Sequence, residues 1–252
     1  MASLSPRPAG VYFRMPPIER IARRRVVVVA MLTTMLASGL LAAGSAPVAQ
    51  DRGVHPISGR PYAQTMSVEG AAWLERPERI QEENPELAMR LIDLQAGSTV
   101  ADIGAGSGYY TVRLARAVGP TGRVYAVDIQ AGMLNRVQFN VARAGLTNVV
   151  PVLGANDDPR LQAGSLDLVL MVDVYHEFSE PQRMLQRLRD ALKPDGRLVL
   201  LEYRTEDPDV PILPDHKMTK AQIKLEVEHE GFVQDRVHDD LPWQHLVVFT
   251  KR

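Results

Sequence analysis

The apolar positions of this 252-residue chain form short runs that alternate with helical patterns over most of its length. Thr99–Ile103 is one compact run. Val112, Leu114, Ala115 and Val118 then recur at helical spacing until Gly119-Pro120 breaks the pattern. Short strands follow at 124–127 and 149–153, separated by a helix pattern over 131–144 that Gly145 ends. Leu166–Val172 is almost unbroken, as expected of a central parallel strand buried on both faces. Residues 179–192 predict a helix capped by Ser179, with Met184, Leu185, Leu188 and Leu192 inward; Pro194-Asp195-Gly196 is a turn, and 198–201 a fifth strand. Thr219 caps a charged helix running to about Glu230, and segments 232–237 and 246–250 close the chain as a hairpin-like pair. Upstream, residues 67–74 predict a short helix capped by Ser67. Trp73 anchors it in the core, with a lid over a substrate as the alternative. Asn84 followed by Pro85 opens a helix through Leu94, with Leu87, Leu91 and Leu94 on one face. Strands alternating with helices predict an α/β fold: a doubly wound sheet with right-handed crossovers, in one domain over 67–252.

The chemistry centres on Val100-Ala101-Asp102-Ile103-Gly104-Ala105-Gly106-Ser107-Gly108-Tyr109-Tyr110. A strand ends in a glycine turn and a helix opens at Tyr109. Glycine lets the backbone approach a ligand closely, and free N–H groups at a helix start favour polar or anionic atoms. A dinucleotide fingerprint would be G-x-G-x-x-G, but Tyr109 stands where its third glycine would fall. Asp102 lies inside the motif; its charge disfavours a pyrophosphate and suits a ligand bearing an ammonium group. Residues 123–128 form a short strand ending in Asp128, close to where a nucleotide-binding βαβ unit needs an acceptor.

The spacing Asp102-x-Gly104-x-Gly106-x-Gly108 resembles the first motif of the class I S-adenosylmethionine-dependent methyltransferases, and the resemblance runs over roughly residues 94–250. It implies a Rossmann-like, mostly parallel seven-stranded sheet with an antiparallel final strand, and S-adenosylmethionine as cofactor. By the same resemblance Asp102, Gly104, Ala105, Gly106 and Gly108 hold the methionine moiety, and Asp128, with Ile129 beside it, binds the ribose hydroxyls. An adenine contact is implied after the third strand, at Asp157 first and Asn156 next; an Asx turn before Pro159 is the alternative. The segment Val172-Asp173-Val174-Tyr175-His176-Glu177-Phe178 is expected to face the sulfonium and the substrate. Asp173 either holds the cofactor's amino group or faces the acceptor. His176 is the candidate general base, because an imidazole titrates near neutrality; local capping by His176 and Glu177 is the alternative. Glu202-Tyr203-Arg204 and residues 205–218, including His216, Lys217 and Met218, either border an acceptor pocket or form a solvated loop. Asp173, His176 and Glu177 have no recognised ligand spacing, and no metal is expected.

The charge pattern narrows the partners. Net charge is −1, but residues 1–49 carry six Arg and one Glu, leaving 23 basic and 29 acidic side chains from Gln50 onward. An acidic domain lacks the basic footprint of a nucleic-acid binder. There is no cysteine, which excludes disulfides and thiolate chemistry. Arg20 and Arg23 to Arg25, an apolar run over 26–43 and small residues after it form a signal peptide or an N-terminal membrane anchor; residues 50–66 read as linker. Either placement puts the domain outside the cytoplasm, away from the cytosolic source of S-adenosylmethionine; a true start at Met15 is the third reading. The expected function is methyl transfer to a small-molecule acceptor by in-line displacement. The alternatives are a protein carboxyl methyltransferase, supported by Gly106-Ser107-Gly108-Tyr109, and an exported cofactor-binding protein without turnover. A nicotinamide oxidoreductase is disfavoured by Tyr109 and Asp102.

Overall fold

The computed structural model describes residues 53–252, so the N-terminal segment at 1–49 lies outside the described residues. Seven strands form one sheet: β1 (Thr99–Ile103), β2 (Arg123–Asp128), β3 (Val149–Leu153), β4 (Leu166–Val172), β5 (Leu192–Tyr203), β6 (Phe232–His238) and β7 (Gln244–Lys251). Their order is β3-β2-β1-β4-β5-β7-β6. β1 pairs in parallel with β2 on one side and β4 on the other, whereas β7 runs antiparallel to both β5 and β6. The strand order therefore reverses between β1 and β4, where ligands of open α/β sheets bind.

The helices are α1 (Arg79–Glu83), α2 (Pro85–Ile92), α3 (Tyr109–Val118), α4 (Ala131–Arg143), α5 (Pro181–Ala191) and α6 (Lys220–His229). Alternation along the central strands separates two cores. Val169 and Met171 of β4, with Leu198 and Leu200 of β5, pack on Met184, Leu185 and Leu188 of α5 and on Ile223 and Val227 of α6. Leu168 and Leu170, with Val199 and Leu201, pack on Ala88 and Ile92 of α2 and on Leu114 and Val118 of α3. The continuous apolar run of β4 is thus the cost of serving both faces. Thr219 caps α6 in a reciprocal box with Gln222.

Several local expectations change. Pro194-Asp195-Gly196 does not separate helix from strand: it lies inside β5 as a bulge, since the pairing steps from Leu166–Leu192 directly to Leu168–Arg197. Ser179 is not the cap of α5, which begins after Glu180 with Pro181 in its first turn. The segment Val68–Glu75 is a 3-10 helix with no side-chain cap, and Trp73, 46% exposed, is not in the core. α2 ends at Ile92, and its fully buried positions are Ala88 and Ile92, while Leu87, Leu91 and Leu94 are half-buried. Residues 53–66 are a packed strap and no linker. Arg60 and Glu226, both buried, form a bidentate pair at 3.1 and 3.0 Å, and the amide of Ala63 donates to the carbonyl of His176 at 3.0 Å.

Candidate active site

A cavity of about 750 Å³ opens over the carboxyl ends of β1, β2 and β4. β1 delivers Asp102 and Ile103 into the glycine turn. Gly104 has φ +69°, and a Cβ there would come within 2.3 Å of Val174 Cγ2, so the turn and the segment after β4 touch only because this residue has no side chain. The amides of Gly104 and Ala105 both donate to the carbonyl of Val127, that of Gly106 to Asp128 Oδ2 at 2.9 Å, and that of Gly108 to the carbonyl of Ala105. These four N–H groups are therefore committed within the protein. The turn supplies the close backbone surface expected of its glycines, while their own amides are not free donors.

Two carboxylates border that surface. Asp102 is 2% exposed and accepts from Thr111 Oγ1 at 2.5 Å; burial raises its pKa to about 6 despite that bond. Asp128 bridges both lips of the cavity, accepting from the amides of Gly106 and Gln130 at 2.9 Å each, and burial raises its pKa as well. Ile129 and Asn156 also line the cavity, and Ile129 is exposed.

Two expected residues lie elsewhere. Asp157 pairs with Arg183 at 3.0 Å near the surface and is not part of the cavity lining. Gly108 starts α3 at φ +86° and packs against Val137 of α4, so its glycine serves helix packing.

The segment after β4 carries the strongest polar contrast. Asp173 has φ +49°; its Oδ2 accepts from Gln244 Nε2 at 2.7 Å and its Oδ1 is buried without a partner among the described residues. Burial, with Glu83 and Glu202 nearby, raises the Asp173 pKa well above its ordinary value. His176 is 1% exposed, with Nδ1 2.5 Å from Glu202 Oε2. Burial opposes its charge, but the Glu202 carboxylate outweighs it and holds the pKa above 6.5. Glu202 also accepts from the Tyr175 amide at 2.9 Å, and Arg60 Nη1 donates to the His176 carbonyl at 3.0 Å. The other face, His176 Nε2, lines the cavity with no partner among the described residues. Glu177 beside it is pushed up to about 7 by burial.

Arg76, Arg79 and Glu83 were not legible as site residues, whereas Trp73 reads as core with a lid as the alternative, and Glu202 and Tyr203 as an acceptor-pocket border or a loop. Trp73 lines the cavity with Arg76 Cζ 3.7 Å from its ring centre, and Arg79 pairs with buried Glu83 while lying 4.1 Å above the Tyr109 ring. An Arg79-x-x-x-Glu83 spacing was the only signal for that pair. Glu202 reaches the cavity region from the end of β5 as the partner of His176, so it belongs to no solvated loop, and the Tyr203 hydroxyl is bound to Glu83 at 2.9 Å. Arg204 donates to the carbonyls of Asp239, Leu241 and Gln244, and Lys217 to that of Val210. Neither cation is presented to an anionic acceptor.

A parallel sheet with a glycine turn after β1, an acid ending β2 and a polar segment after β4 defines a methyltransferase domain. Residues 94–241 match the methyltransferase-domain family, and the chain belongs to it. Its fold is that of the class I S-adenosylmethionine-dependent methyltransferases. A solved SAM-dependent methyltransferase from Aquifex aeolicus superposes with a TM-score of 0.70 at 28% identity, over 73% of this chain and 98% of that one. The nocamycin O-methyltransferase of Saccharothrix syringae is 34% identical over 117 residues, 45% of this chain and 42% of its own. The protein-L-isoaspartate O-methyltransferase of Methanothrix thermoacetophila is 30% identical over 110 residues, 44% of this chain and 50% of its own. The chain thus matches about half the length of these curated relatives.

Proposed function

We propose that the chain is a methyltransferase that uses S-adenosylmethionine to methylate a small-molecule acceptor. The observation that carries this reading is one cavity with two unlike ends. At one end the glycine surface, Asp102, Asp128, Ile129 and Asn156 suit an amino-acid nucleoside. Elsewhere Trp73, Phe178, Pro211, Ile212 and Leu213 form apolar walls interrupted by the bare Nε2 of His176. A cavity of about 750 Å³ is within the usual range for small-molecule sites.

The residues present fit that cofactor. Asp102 offers a carboxylate to an ammonium group, and Asp128, already fixed by two amides, keeps further lone pairs for a ribose diol. The bound cofactor supplies a methyl group already activated on a sulfonium. The protein's part is then to orient the acceptor, exclude water and remove a proton. His176 Nε2 is placed to take the proton of an acceptor hydroxyl, and Glu202 stabilises the resulting imidazolium while fixing the ring. The nocamycin O-methyltransferase favours such an oxygen acceptor, and a cavity of small-molecule size favours it over a protein side chain. Export or membrane anchoring by residues 1–49 is a separate proposal, tested by phosphatase fusion after residue 50.

Calorimetry of the purified protein with S-adenosylmethionine, S-adenosylhomocysteine and NAD tests the cofactor, followed by labelled methyl transfer to a panel of small phenols and alcohols. Binding of the first two alone, with label passing to a panel member, is expected. Binding of NAD instead, or of none of the three, would overturn the assignment.

A further inference from the structure

We propose that His176, Glu177 and His216 form a binding site for a divalent transition-metal ion on the wall of this cavity. One ligand atom from each residue lies within 4.8 Å of the others, and all three line the cavity. The two short turns that carry them, Tyr175–Glu177 after β4 and Pro214–His216 after β5, are separated in sequence and brought together only by the fold.

Each histidine has a carboxylate beside its Nδ1, but only His176 presents a partnerless Nε2. His176 Nδ1 is held by Glu202 Oε2 at 2.5 Å, and its Nε2 is buried and unpartnered among the described residues. His216 Nδ1 lies 3.0 Å from Asp215 Oδ1, and its Nε2 lies 3.3 Å from the carbonyl of Gln64, an acceptor that this nitrogen gives up, together with its proton, when it binds an ion. A carboxylate on one ring nitrogen fixes the tautomer that leaves the lone pair on the other and strengthens it as a donor, the usual outer support of a metal-bound histidine. The rings stand 5.2 Å apart, centre to centre, at 63°. Glu177 completes two nitrogens and one carboxylate.

Bonds of about 2.0–2.2 Å to each donor require the three atoms to close in by a few tenths of an ångström or more. Glu177 and His216 are only partly buried and have that freedom, whereas His176 is fixed by Glu202, Arg60 and Ala63. A mixed imidazole and carboxylate set suits zinc, iron(II), cobalt or manganese over calcium or magnesium, and three protein ligands leave positions open. Those positions face the cavity, so an acceptor oxygen can bind there and release its proton to solvent more readily than when free. That last role rests on the methyl-transfer reading; the binding of the ion does not. With the ion in place His176 acts as ligand, and proton removal passes from its Nε2 to the bound oxygen's own acidity.

The test uses the full chain, stripped with a chelator and titrated with cobalt(II) and zinc(II) by calorimetry and visible absorption. One ion per chain is expected, with the cobalt bands of a low-symmetry nitrogen and oxygen site. His216→Ala and Glu177→Gln should each weaken binding by about tenfold or more. His229→Ala, a half-exposed histidine outside the cavity, serves as control and should bind as the parent does. Calorimetry with S-adenosylhomocysteine shows that the variants are folded. Absence of stoichiometric binding by the parent, or parent-like affinity in folded His216→Ala and Glu177→Gln, would overturn the site. Metal binding without any S-adenosylhomocysteine binding would sink the methyl-transfer reading and leave the metal site standing.

Discussion

Asp102 links pH, stability and cofactor affinity in a way that can be measured. Burial raises its pKa from 3.8 to about 6, so the folded chain keeps a proton that the unfolded chain has released. The sign follows from linkage: this group's contribution to stability is fully present below pH 3.8, falls as pH rises between 3.8 and about 6, and leaves a deficit above that. The difference corresponds to about 3 kcal/mol of destabilisation at pH 7.5. An ammonium group in the cavity recovers part of that deficit by pairing with the carboxylate. At pH 5 only about one-tenth of Asp102 is ionised, so affinity should fall about tenfold below its plateau at pH 7.5. Calorimetry with S-adenosylhomocysteine from pH 5 to 8 measures the curve. Asp102→Asn retains an acceptor for the Thr111 hydroxyl at 2.5 Å while removing the charge. It should raise the melting temperature at pH 7.5, weaken binding there and flatten the dependence on pH. Asp128 also titrates high and contributes a second, smaller slope. A flat wild-type curve, or an Asp102→Asn curve as steep as the wild type, would refute the reasoning.

Glu202→Gln should lower the His176 pKa, because burial, the largest influence on the imidazole, is then opposed only by the more weakly acting Glu177 and Asp173; NMR titration of the ring reads this directly, and no downward change would count against the pairing. Glu226→Ala leaves Arg60 buried and unpaired, a loss of about 3–5 kcal/mol by urea unfolding, with new protease cleavage near Gly59; an unfolding midpoint like the parent's would show that the strap contributes little. Asp157→Ala should leave S-adenosylhomocysteine affinity within about twofold of the parent, since this carboxylate makes a surface pair worth about 0–1 kcal/mol; a large loss in calorimetry would restore it to the adenine site.

What the sequence determined by itself is what local chemistry dictates. The alternation of patterns set the strands and helices, the unbroken apolar run of Leu166–Val172 placed β4 at the centre, and Asp102, the glycine turn and Asp128 marked one end of the cavity, because each signal lies within a few residues of itself. Signals without a local cause misled. Pro194-Asp195-Gly196 reads as a turn, yet pairing with β4 at Leu192 before it and at Arg197 after it carries the strand past it as a bulge. Trp73 reads as a core residue, with a lid as the alternative, yet it is 46% exposed and lines the cavity. Only the tertiary structure decided the contacts that join distant segments. It set Glu202 against His176, brought His216 beside His176, and anchored residues 53–66 through Arg60 and Glu226, because a buried charge finds its partner in space, where sequence separation carries no weight.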